Sequence, residues 1–306
     1  MNNQILYIDR RTKKVCKEKV YGKYFLDLLY GNTWFSKLVG SFFLRLFTQF
    51  HVFSKIYGML QKSPFSRCKI RNFIRCFEVD EKEFADPVDS FRSFNDFFIR
   101  RLKPSARPIA GGNDIAILPA DGRCLVFDNI STCDGFVVKG AKFSLDEFVE
   151  DPELAAQFAG GSMAIIRLCP SDYHRFHFPI RCIPQEPIAV KGALYSVNPI
   201  ALKKDSGIFA KNKRVLTKLT SKSFGTVLFV EVGATYVGTV HQTFIPNEAY
   251  AKGDEKGYFS FGGSCIVLLF EPGKIQFDQD LLEASQKKME VLALMGQTLG
   301  RCLTPY

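Results

Sequence analysis

Apolar residues follow a helical pattern near the N-terminus of the chain. Between residues 34 and 60 they recur every three or four positions, which is the period of an amphipathic helix. The apolar stripe consists of Phe35, Leu38, Val39, Phe42, Phe43, Leu46, Phe47, Phe50, Phe53, Ile56, Tyr57 and Leu60. A second, shorter helix is expected after Pro64, with an apolar side that consists of Ile70, Phe73, Ile74 and Phe77. A third is predicted over 91–102 and ends before Pro104.

From about residue 112 the pattern changes to that of β-strands. Short segments rich in Val, Ile and Phe alternate with turns that contain Gly, Pro or Asp. These segments are 114–119, 123–128, 162–169, 188–194, 214–220, 226–232, 235–241 and 264–270. Helices are expected at 145–158 and 279–289. The sequence therefore predicts an α+β protein: N-terminal amphipathic helices in a region 1–110, then a mostly antiparallel β body with few helices over 111–306.

The chain of 306 residues has a formal charge of +10, and the positive excess lies at its N-terminal end. Residues 1–77 contain fifteen Lys and Arg against three Asp and Glu, a balance of +12, which leaves −2 for the remaining residues. Such a region favours an anionic partner, either a membrane surface or a nucleic acid. The apolar stripe is also compatible with packing on the protein's own core. Its many Phe residues and its lack of acidic residues favour a membrane.

The cysteines and the first residues of the chain indicate the cellular compartment. Nine cysteines form an odd set without a Cys-x-x-Cys pair, and the chain opens on Met1-Asn2-Asn3-Gln4 without an apolar signal core. Both features are typical of a reducing, cytosolic environment. No window reaches the roughly 18 uninterrupted apolar residues that a membrane-spanning helix requires. We therefore expect a peripheral protein at the cytoplasmic face of the cell membrane.

Two of the four histidines share a short segment that is bounded by prolines. His174 and His177 lie between Pro170 and Pro179, three positions apart. This spacing places both rings on one side of a helical turn but on opposite faces of a flat strand, so convergence on one site is allowed and not required. The histidine pair in an irregular segment is a candidate functional site.

A serine that follows two glycines begins the last apolar run of the chain. Glycine has no Cβ to shield its carbonyl and tolerates unusual dihedrals, so the hydroxyl of Ser264 is able to approach the Gly263 peptide bond on its N-terminal side. An ordinary turn before a buried strand is the commoner explanation of such a tripeptide. Asp121 also lies in a turn, before Gly122. Together Asp121, His177 and Ser264 are the residue types of an orienting acid, a base and a nucleophile.

The histidine segment also contains two thiols, which makes a metal site an alternative. Cys169, His174, His177 and Cys182 are all of the types that bind zinc. Structural zinc sites usually have a close Cys-Cys pair and a close His-His pair with a longer gap between them, and this spacing is different. The sequence therefore favours a site without a metal.

Several short motifs, read in order along the chain from residue 91 onward, resemble the phosphatidylserine decarboxylase family, whose members process themselves and use a pyruvoyl group. The motifs are NDFFIRRLKP at 95–104 followed by RP at 107–108, PADG at 119–122, DYHRFH at 172–177, LYSVNP at 194–199, VGAT at 232–235, and the stretch from KGDE at 252–255 to FGGS at 261–264. Each motif is weak by itself, and their common order makes the resemblance specific. The N-terminal region is similar only in being helical and basic.

The resemblance implies that Asp121, His177 and Ser264 form a self-cleavage triad and that the Gly263–Ser264 bond breaks. The products are a β chain, residues 1–263, and an α chain, residues 264–306, which remain together as a heterodimer; further oligomerisation is left open. Ser264 becomes a covalent pyruvoyl group that forms a Schiff base with phosphatidylserine and releases CO2, leaving phosphatidylethanolamine. His174 is then the residue that protonates the product. Neither a metal nor a nucleic acid is implied.

At position 265 the chain departs from the family, which commonly has Ser or Thr after the reactive serine, whereas this chain has Cys265. This puts in doubt the rate of maturation and any hydrogen bond that a hydroxyl would supply. Two alternative activities also stay open. One is a pyruvoyl decarboxylase that acts on a soluble amino acid. The other is a serine hydrolase that uses Asp121, His177 and Ser264 without cleaving itself.

Overall fold

The computed structural model describes residues 4–22, 51–130, 144–202, 207–234, 239–261 and 264–303. Some of the predictions lie outside these residues. They are residues 34–50 of the first helix, residues 235–238 of one strand, and Gly262 and Gly263 of the candidate cleavage site.

The described strands are β1 Leu6–Asp9, β2 Val15–Lys17, β3 Ile115–Ile117, β4 Gly122–Phe127, β5 Ser162–Leu168, β6 Arg175–His177, β7 Ile183–Pro184, β8 Ile188–Val190, β9 Arg214–Ser221, β10 Gly225–Gly233, β11 Val240–Gln242, β12 Glu255–Phe259, β13 Ser264–Phe270, β14 Ile275–Phe277, β15 Glu290–Ala293 and β16 Thr298–Cys302. The described α-helices are α1 His51–Lys62, α2 Ile70–Phe77, α3 Phe94–Phe98, α4 Leu145–Val149, α5 Pro152–Phe158, α6 Pro199–Leu202, α7 Ile208–Lys211 and α8 Gln279–Gln286.

One large sheet organises the molecule. Its strands lie in the order β2, β1, β15, β4, β5, β13, β10, β9 and β7, and β8 also pairs with β9. Strands β1 and β15 are parallel, and the other neighbours in this sheet are antiparallel. Two small antiparallel sheets, β11-β12-β6 and β14-β16-β3, accompany it. The predicted α+β class with a mostly antiparallel body is confirmed.

The central strand β13 separates two hydrophobic cores, because successive side chains of a strand point to opposite faces of its sheet. Ile266 and Leu268 belong to a core that includes Phe176, Phe178 and Phe259 from the small sheet and its surroundings, which we call the Phe176 core. The opposite face contributes to a second core, the Phe148 core, whose members include Phe148, Val232, Cys265, Val267 and Leu269. The small sheet β11-β12-β6 thus packs on the face of β13 from which Ile266 and Leu268 project.

The N-terminal region differs from its prediction. Residues 6–9 and 15–17 are strands, and β1 joins the large sheet beside β15. Helices of the described region begin only at His51. The strands β1 and β2 are short and carry charged residues on a half-exposed surface, so their apolar pattern is weak. The division of the chain at residue 110 stays a prediction, although β1 and β2 extend the same sheet as the body.

The apolar side of α2 packs on the protein itself. Ile70, Phe73 and Ile74 are buried. They belong to a third cluster, the Phe97 cluster, which also contains Phe84, Phe91, Phe94, Phe97, Phe98 and Phe261. A helix that buries its apolar stripe against aromatic rings of its own chain has no such stripe left for lipid.

Two other predicted helices are shorter than expected. The helix predicted over 91–102 covers only α3, Phe94–Phe98, which is capped by the Ser93 side chain. The helix predicted over 145–158 is two helices, because Glu150 adopts a left-handed conformation and Asp151 caps α5 just before Pro152. Within the described residues, the helices are all too short or too polar to cross a lipid bilayer.

Candidate active site

Four neighbouring strands bring the candidate residues to one end of the large sheet. Ser264 is the first residue of β13, and it pairs with Leu168 at the end of β5 and with Gly233 at the end of β10. On the other side of β5, the first residues of β4 pair with the last residues of β5, and Arg123 lies opposite Arg167. Asp121 precedes β4 directly, and the histidine segment follows β5. All of them therefore lie at the same end of the sheet.

Ser264 is completely buried at the start of the central strand. Its side chain lies on the same face as Ile266, because residues two apart in a strand share a face, and that face carries the Phe176 core with the small sheet. The hydroxyl Oγ has no hydrogen-bond partner among the described residues. Such a buried polar atom is costly and calls for an explanation.

His177 ends strand β6 of the small sheet, directly after Phe176 of the Phe176 core. Its Nδ1 lies 2.9 Å from the carbonyl oxygen of Gly253. A carbonyl only accepts hydrogen bonds, so Nδ1 carries the proton and Nε2 is the basic nitrogen. The hydroxyl of Tyr173 lies 3.3 Å from Nε2. The imidazole is thus neutral, and its basic nitrogen Nε2 faces away from the Gly253 carbonyl that orients the ring.

Burial lowers the pKa of His177 below its ordinary value. The hydrogen bond to Gly253 and the negative charges of Glu255 and Asp121 act in the opposite direction, and burial outweighs them. The imidazole is therefore neutral at physiological pH, which is the protonation state that a general base requires.

Gly253 is required where it is, because its backbone adopts φ +90°. This conformation is strained for residues with a side chain. A Cβ at this position would also meet Ile109 at 3.0 Å. The glycine thus allows its carbonyl to turn toward His177.

Asp121 is held by Arg107 and by the backbone. The Arg107 guanidinium donates from Nε to Oδ1 at 2.9 Å and from Nη2 to Oδ2 at 2.6 Å, and the backbone N–H of Met295 donates to Oδ1 at 2.8 Å. Asp121 and His177 share no hydrogen bond among the described residues, so the carbonyl of Gly253, and not the carboxylate, orients the imidazole here. The backbone N–H of His177 donates to Pro119 two residues before Asp121, and the carboxylate acts on the imidazole through its charge. The triad itself stays a prediction.

His174 lies against the segment that leads to Ser264. Its ring is 3.8 Å from that of Phe98, centroid to centroid, and Phe98 is 4.9 Å from Phe261. The backbone N–H of Phe261 donates to the side chain of Asn95 at 3.0 Å. Helix α3 therefore holds both a histidine and the chain three residues before Ser264, and it links the Phe97 cluster to the candidate site.

The loop between β5 and β6 is fixed by a buried charge network. Asp172 accepts from Arg123 at 2.5 Å and from the backbone N–H of Cys169 at 2.6 Å. Arg123 also pairs with Glu18 at 3.1 Å, and Glu18 pairs with Arg167 at 2.7 Å. Each charge in this network has a partner, and through Asp172 the network anchors the start of the loop that carries both histidines.

The four residues of the zinc alternative occupy separate surroundings. Cys169 accepts a hydrogen bond from Arg167 at 3.2 Å, and Cys182 lies in the Phe176 core. Burial raises the pKa of the Cys182 thiol to about 12, so it stays protonated. In the part of the chain that the structure describes, no group of three or more His, Cys, Asp and Glu side chains is arranged to hold a metal ion.

Four residues of this site have no role in the sequence analysis. Arg107, Tyr173 and Gly253 contact the candidate triad, and Arg100 donates to the histidine loop. All four lie within the motifs quoted above. Their proximity in the sequence to Asp121, His174 or Ser264 could have identified them as residues of the site. The pairing of Arg107 with Asp121 and of Gly253 with His177 depends on the tertiary fold and could not be predicted in this way.

Known proteins match this chain over nearly its whole length. A family model described as phosphatidylserine decarboxylase matches residues 94–301. A phosphatidylserine decarboxylase proenzyme of Chlamydia pneumoniae is 50% identical over 296 residues, which is 96% of each chain. The chain belongs to the phosphatidylserine decarboxylase family. Proenzymes of the same name from Chlamydia muridarum and Chlamydia trachomatis serovar L2 are 45% and 44% identical, and the alignments cover 98% and 97% of each chain.

Membership of the phosphatidylserine decarboxylase family makes this chain a decarboxylase, a carboxy-lyase, and its relatives are named as proenzymes. The matched region 94–301 contains Asp121, His174, His177 and Ser264. Cys265, where the chain departs from the commoner residue, points away from the site. It is fully buried in the Phe148 core on the opposite face of β13, so its side chain and that of Ser264 lie on different sides of the sheet.

Proposed function

We propose that this chain is a phosphatidylserine decarboxylase that matures by cleaving itself between Gly263 and Ser264. The observation that carries the proposal is the position of Ser264. It begins the central strand, its buried Oγ has no partner among the described residues, and it lies on the face of β13 against which the small sheet packs, whose strand β6 ends at His177. The names of the relatives support the substrate and the precursor state.

In the proposed cleavage, Nε2 of His177 accepts the proton of Ser264 Oγ, and the oxygen attacks the carbonyl carbon of Gly263. The C–N bond breaks, the nitrogen takes up the proton, and an ester replaces the amide. Loss of the Ser264 α-proton then expels the Gly263 carboxylate and leaves a dehydroalanine. Water hydrolyses its imine tautomer and releases ammonia. The net reaction consumes one water and yields one carboxylate, one ammonia and a pyruvoyl group.

The residues around Ser264 fit a pyruvoyl group at this position. Backbone pairing with β5 and β10 on both sides would hold the new end of β13, and the buried Oγ of Ser264 has no hydrogen bond among the described residues that would have to break before it reacts. When present, the group supplies an electrophilic carbonyl that takes up the substrate's amine and accepts the electrons released as its carboxylate leaves as CO2. His174, buried against Phe98 at 3.8 Å, is the proposed donor of the proton that replaces CO2.

A membrane partner is proposed from the end of α1 and the turn after it. Ile56, Met59, Leu60 and Phe65, which we call the α1 patch, are large apolar residues that are exposed, and Phe65 is 90% exposed. Lys62, Arg67 and Lys69 surround them in the sequence. Exposed apolar residues beside basic ones favour binding at an anionic lipid interface. Cys124 and Cys169 are buried free cysteines, and free thiols are typical of a reducing compartment. We therefore propose that the protein lies peripherally on the cytoplasmic face of the membrane.

The proposed function is tested by incubating the purified protein with phosphatidylserine that is labelled in its carboxylate. Labelled CO2 and phosphatidylethanolamine are expected from the wild-type protein and not from Ser264→Ala. Cyanoborohydride with a primary amine should block the wild-type activity by reducing the adduct at the pyruvoyl carbonyl. Decarboxylation by Ser264→Ala, or wild-type activity that persists after this treatment and is lost with a serine-reactive probe, would contradict the proposal.

A further inference from the structure

Arg100 is a buried cation beside the histidine loop. It lies just after α3, only 4% of its surface is exposed, and its guanidinium rests on the rings of Phe97 and Phe84 at 4.9 and 5.1 Å. Among the described residues, only Nη2 has hydrogen-bond acceptors, the backbone carbonyls of Ser171 at 3.1 Å and Asp172 at 3.3 Å. These carbonyls directly precede Tyr173 and His174, so the guanidinium is part of the surroundings of the site.

Most of the donors of Arg100 are unused. Nε and Nη1 are buried and have no hydrogen-bond partner among the described residues. These two atoms carry three of the five N–H groups of a guanidinium. Burial lowers the pKa of Arg100 to about 10, so the side chain still carries its positive charge at neutral pH.

The carboxylates near Arg100 are already neutralised by other arginines. Asp121 is paired with Arg107 at 2.6 Å and Asp172 with Arg123 at 2.5 Å. Within the described residues Arg100 forms no ion pair of its own. A buried charge without a counter-ion is strongly unfavourable, so its presence indicates that an anion joins it when the protein works.

We propose that the free N–H groups of Arg100 bind the phosphodiester of the substrate's headgroup and so contribute to recognition of a phospholipid rather than a free amino acid. The proposal rests on the proposed function, because it assigns a group of that substrate. Arginine is suited to this task, since its charged N–H donors form strong hydrogen bonds with phosphate oxygens.

The substrate has a carboxylate as well as a phosphodiester, and the reaction distinguishes between them. The carboxylate loses its charge as CO2 departs, so an arginine bound to it would stabilise the ground state more than the transition state. The phosphodiester keeps its charge throughout. Binding it stabilises ground state and transition state equally, which lowers KM and leaves kcat almost unchanged.

The test compares Arg100→Met with the wild-type protein on soluble dihexanoyl phosphatidylserine. Self-cleavage is measured first on a denaturing gel, and steady-state kinetics are then recorded on the processed enzyme. We expect complete cleavage, a KM about tenfold to a hundredfold higher, and a kcat within roughly threefold of wild type. Arg101→Met is the matched control, because Arg101 is exposed and its one ion pair within the described part of the chain is with Asp86 at 3.6 Å; its kinetics should equal those of the wild type.

A competitor without an amine or a carboxylate identifies the group that is bound. Dihexanoyl phosphatidylmethanol, a phosphodiester, should inhibit the wild-type enzyme competitively and inhibit Arg100→Met about tenfold more weakly. An unchanged KM with a lowered kcat would overturn the proposal, because Arg100 would then only position the histidine loop. A carboxylate ligand would be indicated instead if inhibition by the phosphodiester were the same in both proteins.

The wild-type protein supplies an independent test in case Arg100→Met fails to fold or to cleave itself. Dihexanoylglycerol has the same acyl chains as dihexanoyl phosphatidylmethanol and lacks the phosphodiester. We expect it to inhibit at least tenfold more weakly. Equal inhibition would contradict recognition of the phosphodiester, while normal turnover of phosphatidylserine in the same assay would leave the proposed function intact.

Discussion

At the scale of single residues, His177 is prepared as a base by its burial and by one carbonyl. Gly253 fixes the proton on Nδ1 and thereby leaves Nε2 basic. Burial of Tyr173 raises the pKa of its phenol, which stays protonated and can donate to Nε2. In the proposed cleavage the base is thus neutral and oriented before Ser264 attacks.

The pH dependence of self-cleavage follows from the lowered pKa of His177. In the proposed mechanism cleavage requires the neutral imidazole, so its rate should be fully present above this pKa and be lost as the pH falls through it. Because burial moves the pKa below the ordinary value of 6.5, we expect the acid limb to have its midpoint below 6.5. The rate is measured by gel on freshly translated precursor moved to buffers of different pH. A midpoint above 6.5 would show that a different group is titrating.

Substitution of Asp121 tests whether its charge acts on the base. The negative charge of Asp121 raises the pKa of His177 in opposition to burial. Asp121→Asn should therefore shift the acid limb of self-cleavage to lower pH, in addition to slowing cleavage. Asp89→Asn is the control, since Asp89 is exposed and pairs with Arg71 at the surface. If the limb of Asp121→Asn stays in place, the carboxylate has no electrostatic effect on His177.

The residue types of the candidate site could be predicted from the sequence, and their contacts could not. Ser264 stands out because two glycines precede it and an apolar run follows. The partner that orients His177 is a carbonyl 76 residues away, and it accepts only because Gly253 adopts a positive φ. No local pattern encodes such a pairing. Asp121 illustrates the same limit, because the sequence does not show that Arg107 occupies its carboxylate.

At the scale of elements, the two N-terminal helices differ in what covers their apolar sides. Helix α2 buries Ile70, Phe73 and Ile74 in the Phe97 cluster, whereas the α1 patch is exposed. Hydrophobic period reveals that a helix has an apolar side but not which surface covers it. The strands β9, β10 and β13 could be predicted because each is long enough to show the pattern of a strand. Strand β6 could not, because three residues are too few to show alternation.

The α1 patch should carry part of the affinity for membranes. We expect the triple variant Met59→Ser, Leu60→Ser, Phe65→Ser to bind phosphatidylserine vesicles at least tenfold more weakly in a sedimentation assay, since each residue loses apolar area that lipid would bury. A matched control is Ile183→Ser with Ile188→Ser, which removes exposed apolar residues from β7 and β8. Equal loss in both variants would mean that the patch is not specific, and no loss in either would assign binding to other residues.

At the scale of the whole molecule, the proposed cleavage point would leave two chains that remain one protein. The proposed α chain, residues 264–306, would provide β13, which lies between β5 and β10 of the proposed β chain, and β15, which lies between β1 and β4. Every side chain of β13 is buried. A partly buried ion pair between Arg167 and Glu290 at 2.6 Å would also join the two proposed chains.

The two chains should therefore separate only when the protein unfolds. We expect them to elute together in size-exclusion chromatography at neutral pH and in high salt, because buried apolar area, and not surface charge, holds them together. They should separate at the denaturant concentration at which the circular dichroism of the sheet is lost. Separation in native buffer would show that β13 does not remain in the sheet after cleavage.

The most direct test of the account is the intact mass of the purified, active protein. We predict two chains whose masses correspond to residues 1–263 and 264–306, with the smaller chain lighter by one ammonia than a chain that begins with serine. Ser264→Ala should give a single chain of the full mass. A wild-type preparation that decarboxylates phosphatidylserine while showing only the uncut chain would contradict the central claim.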